Sequence, residues 1–230
     1  EIVRQFSISE ATARRDLEFL AAQGRVQRVH GGVISVEQAP PELPILQRER
    51  EQGQEKARIG RAAASLVKDR ETVFLGSGTT VLEVARNLRD RKQLTLITNS
   101  LPVLNMLAGQ KEITVISLGG MLRESELSFI GHITEQALAE VRVDKVFMGT
   151  RGLSLEHGLT NDYLQETLTD RAILKIGREV IVVADYSKIN RVSTVLLAPL
   201  TAMSRFVTDS KSDQEFLQAL KKQGIQVVVA

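Results

Sequence analysis

One short stretch of the sequence has the residue types and the spacing of an anion-binding turn. The apolar run TVFL is followed by five small or hydroxylated residues, Gly76, Ser77, Gly78, Thr79 and Thr80. Glycines let backbone N–H groups approach an anion closely, hydroxyls add donors, and the helical pattern that begins here brings a positive helix end. The stretch therefore predicts a phosphate site. It is not a Walker loop, which needs a Gly-Lys pair, nor a dinucleotide fingerprint, because Val81 replaces the third glycine.

Similar residues follow the other β-branched runs. They are small, hydroxylated or charged: Thr98, Asn99 and Ser100 after LTLI, Gly119 and Gly120 after ITVISL, Arg151 and Gly152 after VFMGT, and Asp185 and Lys188 after VIVVA. Because the carboxyl ends of parallel strands meet at one edge of a sheet, we expect these residues to converge there. Lys188 and Arg151 would bind phosphate oxygens, and Asp185, together with Asp144, would accept hydrogen bonds from sugar hydroxyls. The alternative for any single residue is a turn or a helix cap.

The elements that must position these residues follow an α/β pattern. From residue 53 to residue 230, short β-branched runs alternate with helical runs, which is typical of a largely parallel sheet. Seven runs predict strands: TVFL, LTLIT, ITVISL, KVFMG, VIVVAD, RFVTD and IQVVVA. Residues 1–36 differ, with short helices and a glycine hairpin. Residues 37–52 carry three of the five prolines, which predicts an extended linker between a small head and the larger domain.

Composition limits the function classes. The 230 residues are 43% hydrophobic and 25% charged, as in ordinary globular proteins. No apolar run approaches the roughly 18 residues of a membrane span and no signal pattern is visible, so we expect a cytoplasmic protein without a membrane partner. There is no cysteine, and the three histidines lie far apart, so neither a metal nor a cofactor is expected. The net charge of +2 restricts nucleic-acid contact to a local patch.

Such a patch is predicted in the head. Ser9 can cap a helix from Glu10 to about Gln23, Gly24 can end it, and two strands surround His30-Gly31-Gly32. This order predicts a winged helix-turn-helix that binds double-stranded operator DNA. The candidate DNA contacts are Ser9, Glu10, Thr12, Arg14 and Arg15 on the helix, and Arg28, His30 and Gly31 on the wing. The alternative is that Arg14 and Arg15 form a solvated helix face.

The stretch SISEATARRDLEFLAAQGRVQRVHGGV resembles the signature of DeoR-type bacterial transcriptional regulators. Its serine-led helix, the paired arginines before Asp-Leu, and the ending Arg-Val-His-Gly-Gly carry the likeness, and Ala13 departs from the larger aliphatic residue usual there. The resemblance implies a sensor domain similar to ribose-5-phosphate isomerase, repression of a sugar or polyol operon relieved by a phosphorylated effector, and a homo-oligomer. It also implies a further helix before Glu1, so we expect the first helix of the head to be missing.

The same resemblance raises the alternative of a sugar-phosphate isomerase with a fused DNA-binding head. Isomerases of that fold have acidic residues after the strand that corresponds to KVFMG, whereas this sequence has Thr150-Arg151-Gly152. A guanidinium cannot act as a general base at neutral pH, so we expect a sensor and not an enzyme. A ligand-independent DNA-bound scaffold is a third hypothesis. In the sensor hypothesis, the effector changes head spacing through residues 37–56.

Overall fold

The computed structural model describes residues 2–6, 8–22, 26–29, 32–35, 37–38 and 43–230. Within these residues the strands are β1 (Val26–Val29), β2 (Gly32–Ser35), β3 (Glu37–Gln38), β4 (Thr72–Leu75), β5 (Leu94–Thr98), β6 (Ile113–Ser117), β7 (Met121–Arg123), β8 (Ser128–Ile130), β9 (Val143–Met148), β10 (Gly152–Ser154), β11 (Gly158–Asn161), β12 (Gly177–Val183), β13 (Arg191–Val192), β14 (Val195–Ala198), β15 (Arg205–Thr208) and β16 (Gln226–Val229). The helices are α1 (Ile2–Phe6), α2 (Glu10–Ala22), α3 (Ile45–Arg48), α4 (Gly53–Ala64), α5 (Thr79–Arg86), α6 (Leu101–Leu107), α7 (His132–Ala139), α8 (Leu164–Leu174) and α9 (Gln214–Lys222).

The seven runs predicted as strands form one parallel sheet in the described part of the chain, so the predicted α/β fold class is confirmed. The strand order is β16-β15-β12-β9-β4-β5-β6. From β4 the chain builds outward through β5 and β6, and from β9 it builds in the other direction through β12, β15 and β16. The order therefore reverses between β4 and β9, which are paired from Val73 opposite Lys145 to Leu75 opposite Phe147. Ligands of open α/β sheets bind at such a switch point.

Alternation of side chains along the central strands builds an apolar core on each face of the sheet. In β4, Val73 and Leu75 pack on the face covered by α4, α5 and α6, whereas Phe74 packs on the opposite face with α7, α8 and α9. All three side chains are fully buried. Burial of such a side chain contributes about 1.5–3 kcal/mol, so both faces hold the strand ends rigidly in place.

A small antiparallel sheet, with the order β10-β11-β14, was not predicted from the sequence. Its strands have three or four residues each. Strands this short carry little periodicity, which explains why the pattern did not reveal them. The turn between β10 and β11 ends at Gly158, whose φ of 68° suits glycine. Asn161, the last residue of β11, and Asp162, which follows it, lie close to Arg151.

The head contains α1, α2 and the antiparallel hairpin β1–β2, as expected for a winged helix-turn-helix. The predicted cap is present: Ser9 Oγ accepts from Thr12 N at 3.1 Å. Ala13 is buried and Arg15 is exposed, so the two side chains lie on different sides of α2. The predicted helix stop at Gly24 and the wing residues His30 and Gly31 lie outside the described residues. The backbone of Arg28 belongs to β1.

The segment predicted as an extended linker is partly helical. Pro44 precedes α3 with φ −51° and ψ 145°, as an N-cap residue. Proline at the start of a helix gives up no intrahelical hydrogen bond, so prolines in this segment do not exclude a helical turn. At the other end of the segment, β3 pairs in parallel with β13.

Candidate functional site

A cavity lies at the switch point, at the carboxyl ends of β4 and β9. The two strand ends are held together by a hydrogen bond from Gly76 N to Phe147 O of 2.9 Å. The lining residues come from the ends of β4, β9, β11 and β12 and the turns after them, from the start of α5, from α4 and the segment before it, from the turn before β8, and from α8. They are Arg48, Glu51, Gln52, Lys56, Gly76, Ser77, Gly78, Thr79, Thr80, Val81, Glu126, Met148, Gly149, Thr150, Arg151, Asn161, Asp162, Glu166, Asp170, Ile173, Val183, Ala184 and Lys188. We call this space the switch-point cavity.

The N-terminal end of α5 faces the switch-point cavity. Its N-cap residue, Gly78, has φ 108° and ψ 152°, a conformation that is essentially restricted to glycine. No described side chain caps this helix, whereas the neighbouring α6 is capped by Ser100, which accepts from Val103 N. The backbone N–H groups of the first turn of α5 are therefore available to an anion, and the helix dipole favours negative charge there.

Two lysines add positive charge to the same cavity. Lys56 of α4 is 5% exposed, and its ammonium donates to Arg48 O at 2.8 Å. Burial lowers the pKa of Lys56; nearby Asp185 opposes this shift, and the charges of Lys188 and Arg48 add to it. Lys188 ends the 3₁₀ turn that follows β12. A buried ammonium with a lowered pKa gains an attractive partner when a phosphate dianion binds beside it.

The lining of the switch-point cavity also carries carboxyl groups. Arg151, which is 7% exposed, donates through Nε to Asp162 Oδ2 at 2.8 Å, so an acidic residue offsets its charge. Asn161 Nδ2 donates to Asp170 Oδ2 at 2.7 Å, and Asn161 Oδ1 accepts from Arg151 N at 3.3 Å. These contacts fix the side chains whose oxygen atoms can accept hydrogen bonds from the hydroxyls of a ligand.

Asp170 and Glu166 lie one turn apart on α8, facing the same cavity. Burial raises the pKa of Asp170 well above its usual range, and the neighbouring Glu166 raises it further, while the hydrogen bond from Asn161 opposes the shift. Glu166 is ion-paired with Arg123 and accepts from Ser128 Oγ at 3.0 Å. When protonated, the carboxyl group of Asp170 can donate a hydrogen bond, whereas an ionised carboxylate can only accept one.

Seven of the predicted ligand-binding residues line the switch-point cavity: Gly76, Ser77, Gly78, Thr79, Thr80, Arg151 and Lys188. Thr98, Asn99 and Ser100 do not line it and make local contacts instead. Thr98 Oγ1 donates to Leu75 O at 2.7 Å, which ties the ends of β5 and β4 together. Asn99 Nδ2 donates to Phe129 O at 3.0 Å. This segment therefore supports the ends of the strands.

Four further predicted residues have contacts of a structural kind. Gly119 O accepts from Thr134 Oγ1 at 2.8 Å, and a side chain at Gly120 would collide with that hydroxyl. Gly152 packs against the backbone of Arg191, which leaves no room for a Cβ. Asp185, 1% exposed, accepts from Ser187 N at 2.9 Å and caps the turn that ends at Lys188. These residues shape the surroundings of the cavity without lining it.

The prediction that Asp144 contacts a sugar is wrong. Asp144 is the second residue of β9 and therefore lies at the amino end of the strand, on the opposite edge of the sheet. Its Oδ2 accepts from Thr72 N at 2.9 Å, and its Oδ1 lies 3.5 Å from Arg178 Nη1. The error arose because only residues that follow a parallel strand reach the ligand-binding edge.

Sequence reasoning also missed residues of the cavity that lie on helices. Lys56 lies three and seven positions before Ile59 and Ala63, which are fully buried on the same side of α4. On α8, Glu166 and Asp170 lie seven and three positions before the buried Ile173, and therefore on the same side of the helix. A charged residue on the apolar stripe of a helix was the available signal, because such a residue is buried only with a partner or for a function.

None of the helices in the described residues is both long and apolar enough to span a bilayer. Across the same residues, no group of three metal-ligating side chains comes together.

The fold and the cavity define a class of protein in which a winged helix-turn-helix head is joined to an α/β domain with a cavity at the switch point of its sheet. The family model described as the DeoR-like helix-turn-helix domain matches residues 1–39, and the model of the DeoR C terminal sensor domain matches residues 51–210. The chain belongs to the DeoR family of transcriptional regulators. The prediction of a DNA-binding regulator is thereby confirmed, and the curated relatives are named as regulators and repressors, not as enzymes.

Three relatives illustrate the likeness. The HTH-type transcriptional regulator IolR of Bacillus subtilis is 31% identical over 230 residues, covering 100% of this chain and 91% of the relative. The transcriptional repressor AccR of Agrobacterium fabrum is 36% identical over 211 residues, with 91% and 81% covered. The glycerol-3-phosphate regulon repressor of Escherichia coli is 32% identical over 227 residues, with 99% and 90% covered.

Among solved structures, ribose 5-phosphate isomerase A of Methanocaldococcus jannaschii matches with a TM-score of 0.44 and 23% identity. The match covers 60% of this chain and 55% of the isomerase.

Proposed function

We propose that this regulator is a repressor of genes for the catabolism of a sugar or polyol, and that a phosphorylated form of that compound binds in the switch-point cavity and releases the repressor from DNA. The observation that carries the proposal is the convergence of the uncapped end of α5 with Lys56 and Lys188 at the switch point. The name of the Escherichia coli relative, a glycerol-3-phosphate regulon repressor, supports an effector with a phosphate group.

In this proposal the two sides of the cavity bind different parts of the effector. The phosphate lies against residues 76–80, where backbone N–H groups, hydroxyls and the lysine ammonium groups donate. The sugar or polyol hydroxyls donate to the carboxylates of Asp162 and Glu166 on the other side. Because Asp162 already offsets the charge of Arg151, this side does not favour a second phosphate. The proposed effector is therefore a monophosphate.

We further propose that α2 reads operator DNA in the major groove. Residues Ser9, Glu10, Thr12, Arg14 and Arg15 lie on the first turns of α2 or just before it, which is the part of a recognition helix that approaches bases and phosphates. Glu10 and Arg14 are strongly exposed and lie 3.5 Å apart, so their weak pairing is easily exchanged for DNA contacts. The wing is proposed to contact the sugar-phosphate backbone of the DNA through Arg28, His30 and Gly31.

We propose that the chain is divided into a head at residues 1–36, a linker at 37–52 and a sensor domain at 53–230.

We also propose that the protein is a homo-oligomer. Large apolar side chains on packed elements of the sensor domain are half exposed: Met121 of β7, Ile133 of α7 and Leu164 of α8. Such exposure is typical of a surface that a second copy covers, and a two-fold pair of heads suits a repeated operator. Analytical ultracentrifugation of Ile133→Glu against the unchanged protein tests this homo-oligomer.

A thermal-shift screen tests the effector proposal. The probes are matched pairs, ribose 5-phosphate with ribose, glycerol 3-phosphate with glycerol, and glucose 6-phosphate with glucose, with inorganic phosphate alongside. At least one phosphorylated probe should raise the melting temperature, whereas its unphosphorylated partner should not, because only the phosphate reaches the end of α5. If each pair gives equal shifts, or if no probe gives a shift, the proposal is refuted.

Two substitutions in the cavity sharpen this test. Thr79→Val removes a hydroxyl at the start of α5, and Lys188→Ala removes a charge; both should abolish the ligand-induced shift and preserve DNA binding. Asp144→Asn is the matched control, because Asp144 lies at the opposite edge of the sheet. The cavity assignment fails if a phosphorylated probe still releases the Lys188→Ala protein from DNA.

A further inference from the structure

The linker segment 43–52 packs against the sensor domain. Ile45 is 3% exposed, and its backbone N–H donates to Ser125 O at 2.7 Å. Arg48 is ion-paired with Glu126, and the two side chains are only 10% and 5% exposed. A buried ion pair of this kind strongly disfavours separation, because each charge would lose its partner in a region of low polarity. The segment is therefore held in one place on the sensor domain.

The same segment supplies part of the switch-point cavity. Arg48, Glu51 and Gln52 line it together with Glu126 and the turn before α5. The site is consequently incomplete without the linker. Lys56, which lines the cavity as well, donates to the carbonyl of Arg48 at 2.8 Å, so a side chain of the proposed phosphate site also holds the linker backbone.

The linker is also attached to elements on either side of the cavity. Glu49 lies 2.8 Å from Arg86 at the end of α5, the helix whose first turn faces the cavity. Near the head, Glu37 and Gln38 pair with β13, which follows the turn that ends at Lys188. These two contacts add to those of Ile45 and Arg48, and they attach the linker to α5 and to the strand that follows Lys188.

We propose that Arg48 is a positioning residue of the effector site, and that a bound phosphorylated effector stabilises the docked arrangement of segment 43–52. This inference rests on the proposed function. A ligand that contacts groups from both the linker and the sensor domain binds the docked arrangement more tightly than any arrangement in which the linker has moved away. It therefore shifts the population towards docking, and this restricts the positions open to the head.

The absence of cysteine from the chain permits a direct test. In the full chain carrying Ile45→Cys, the thiol is buried while the linker is docked, so its rate of reaction with a thiol reagent measures undocking. Leu46→Cys is the matched control, because the neighbouring Leu46 is 69% exposed. The probes are inorganic phosphate, glycerol 3-phosphate and ribose 5-phosphate, each also measured by thermal shift.

A probe that raises the melting temperature should slow labelling of Ile45→Cys about tenfold at ten times its Kd, since only the docked arrangement binds it. Labelling of Leu46→Cys should not change. Adding Glu126→Gln, which removes the ion pair of Arg48 but keeps the side-chain shape, should speed basal labelling. Hydrogen exchange of peptide 43–52 in the unchanged protein provides the same readout if Ile45→Cys disturbs folding, with slower exchange expected in the presence of the probe.

The outcomes separate the inference from the function on which it rests. A probe that raises the melting temperature but leaves both labelling and exchange of segment 43–52 unchanged overturns the inference alone. If none of the probes raises the melting temperature, the proposed function and the inference both fall. The role of Arg48 is tested by the ratio of the hydrogen-exchange rates of peptide 43–52 without and with the probe. If Arg48 were merely structural, this ratio would be the same in Arg48→Lys as in the unchanged protein. If Arg48 positions the effector site, the ratio should be smaller in Arg48→Lys.

Discussion

Replacement of Lys56 by methionine should change ligand affinity and stability in different ways. Methionine has nearly the same length and keeps the packing of α4 on the sheet, but it removes the ammonium. A hydrogen bond to a charged group contributes about 1.5–3 kcal/mol. At about 1.4 kcal/mol per tenfold, its loss should weaken binding of a phosphorylated effector roughly 10- to 150-fold.

The stability of Lys56→Met should stay within about 1 kcal/mol of the unchanged protein. The variant loses the hydrogen bond from the ammonium to the carbonyl of Arg48, worth about 1.5–3 kcal/mol, and this loss is offset because a charge is no longer buried. The lowered pKa of Lys56 shows that the fold disfavours this charge. That unfavourable contribution is complete below the folded-state pKa and vanishes above the unfolded-state pKa, so any stability gained by the variant should shrink at alkaline pH.

Isothermal titration calorimetry and urea unfolding at neutral pH measure the two quantities. The control is Lys145→Met, because Lys145 is a partly buried lysine ion-paired with Glu71, and the two side chains are 11% and 17% exposed. Because Glu71 would lose its partner, this control should lose on the order of 2 kcal/mol of stability with unchanged effector affinity. If Lys56→Met instead lost more than about 2 kcal/mol of stability and bound the effector as before, Lys56 would be a structural residue and the reasoning would be refuted.

Three further predictions concern separate parts of the molecule. Gly78→Ala should cost about 1–3 kcal/mol of stability and weaken effector binding, because Gly78 has a φ of 108°, which alanine rarely adopts. The control is Gly119→Ala, which should be nearly neutral in urea unfolding because a Cβ at Gly119 would meet no other atom. Arg15→Ala should weaken operator binding and reduce the salt slope by about one, with ligand-induced stabilisation unchanged; an equal gel-shift affinity would contradict the DNA-contact assignment. Asp170→Asn should flatten the dependence of the free energy of unfolding on pH. Because the pKa of Asp170 is raised in the folded state, its stabilising contribution is complete below the unfolded-state pKa and is lost as pH rises through the folded-state pKa. If the slope of the free energy of unfolding between pH 4 and pH 8 were the same in the variant, the assignment would be refuted.

The parallel sheet was predictable because its strands are β-branched runs separated by helical patterns. Val73, Phe74 and Leu75 are buried on alternating faces, which gives a continuous apolar run that marks a central strand. The strand order was not predictable, because pairing depends on packing between elements distant in sequence. It is this order that puts Gly76 next to Phe147 and creates the switch point.

The cavity was predictable only where it is built from strand ends. Residues 76–80 follow β4 directly, so their position follows from the direction of the strand. Arg48, Lys56 and Glu166 lie on helices, and which face of a helix meets the cavity is decided by tertiary packing. The contacts of segment 43–52 escaped prediction for a related reason: prolines predicted an extended chain, yet Ile45 and Arg48 are buried against the sensor domain.

In the proposed function, a phosphate group in the switch-point cavity controls the affinity of the head for DNA. The most direct measurement is the fluorescence anisotropy of a labelled operator, selected in vitro with the full chain, titrated with each phosphorylated probe and with its unphosphorylated partner. One phosphorylated probe should weaken operator binding by about 5- to 150-fold, the usual range of coupling between sites, and its unphosphorylated partner should have no effect. Equal effects of both members of every pair, or no effect of any probe, would show that the phosphate does not control DNA binding.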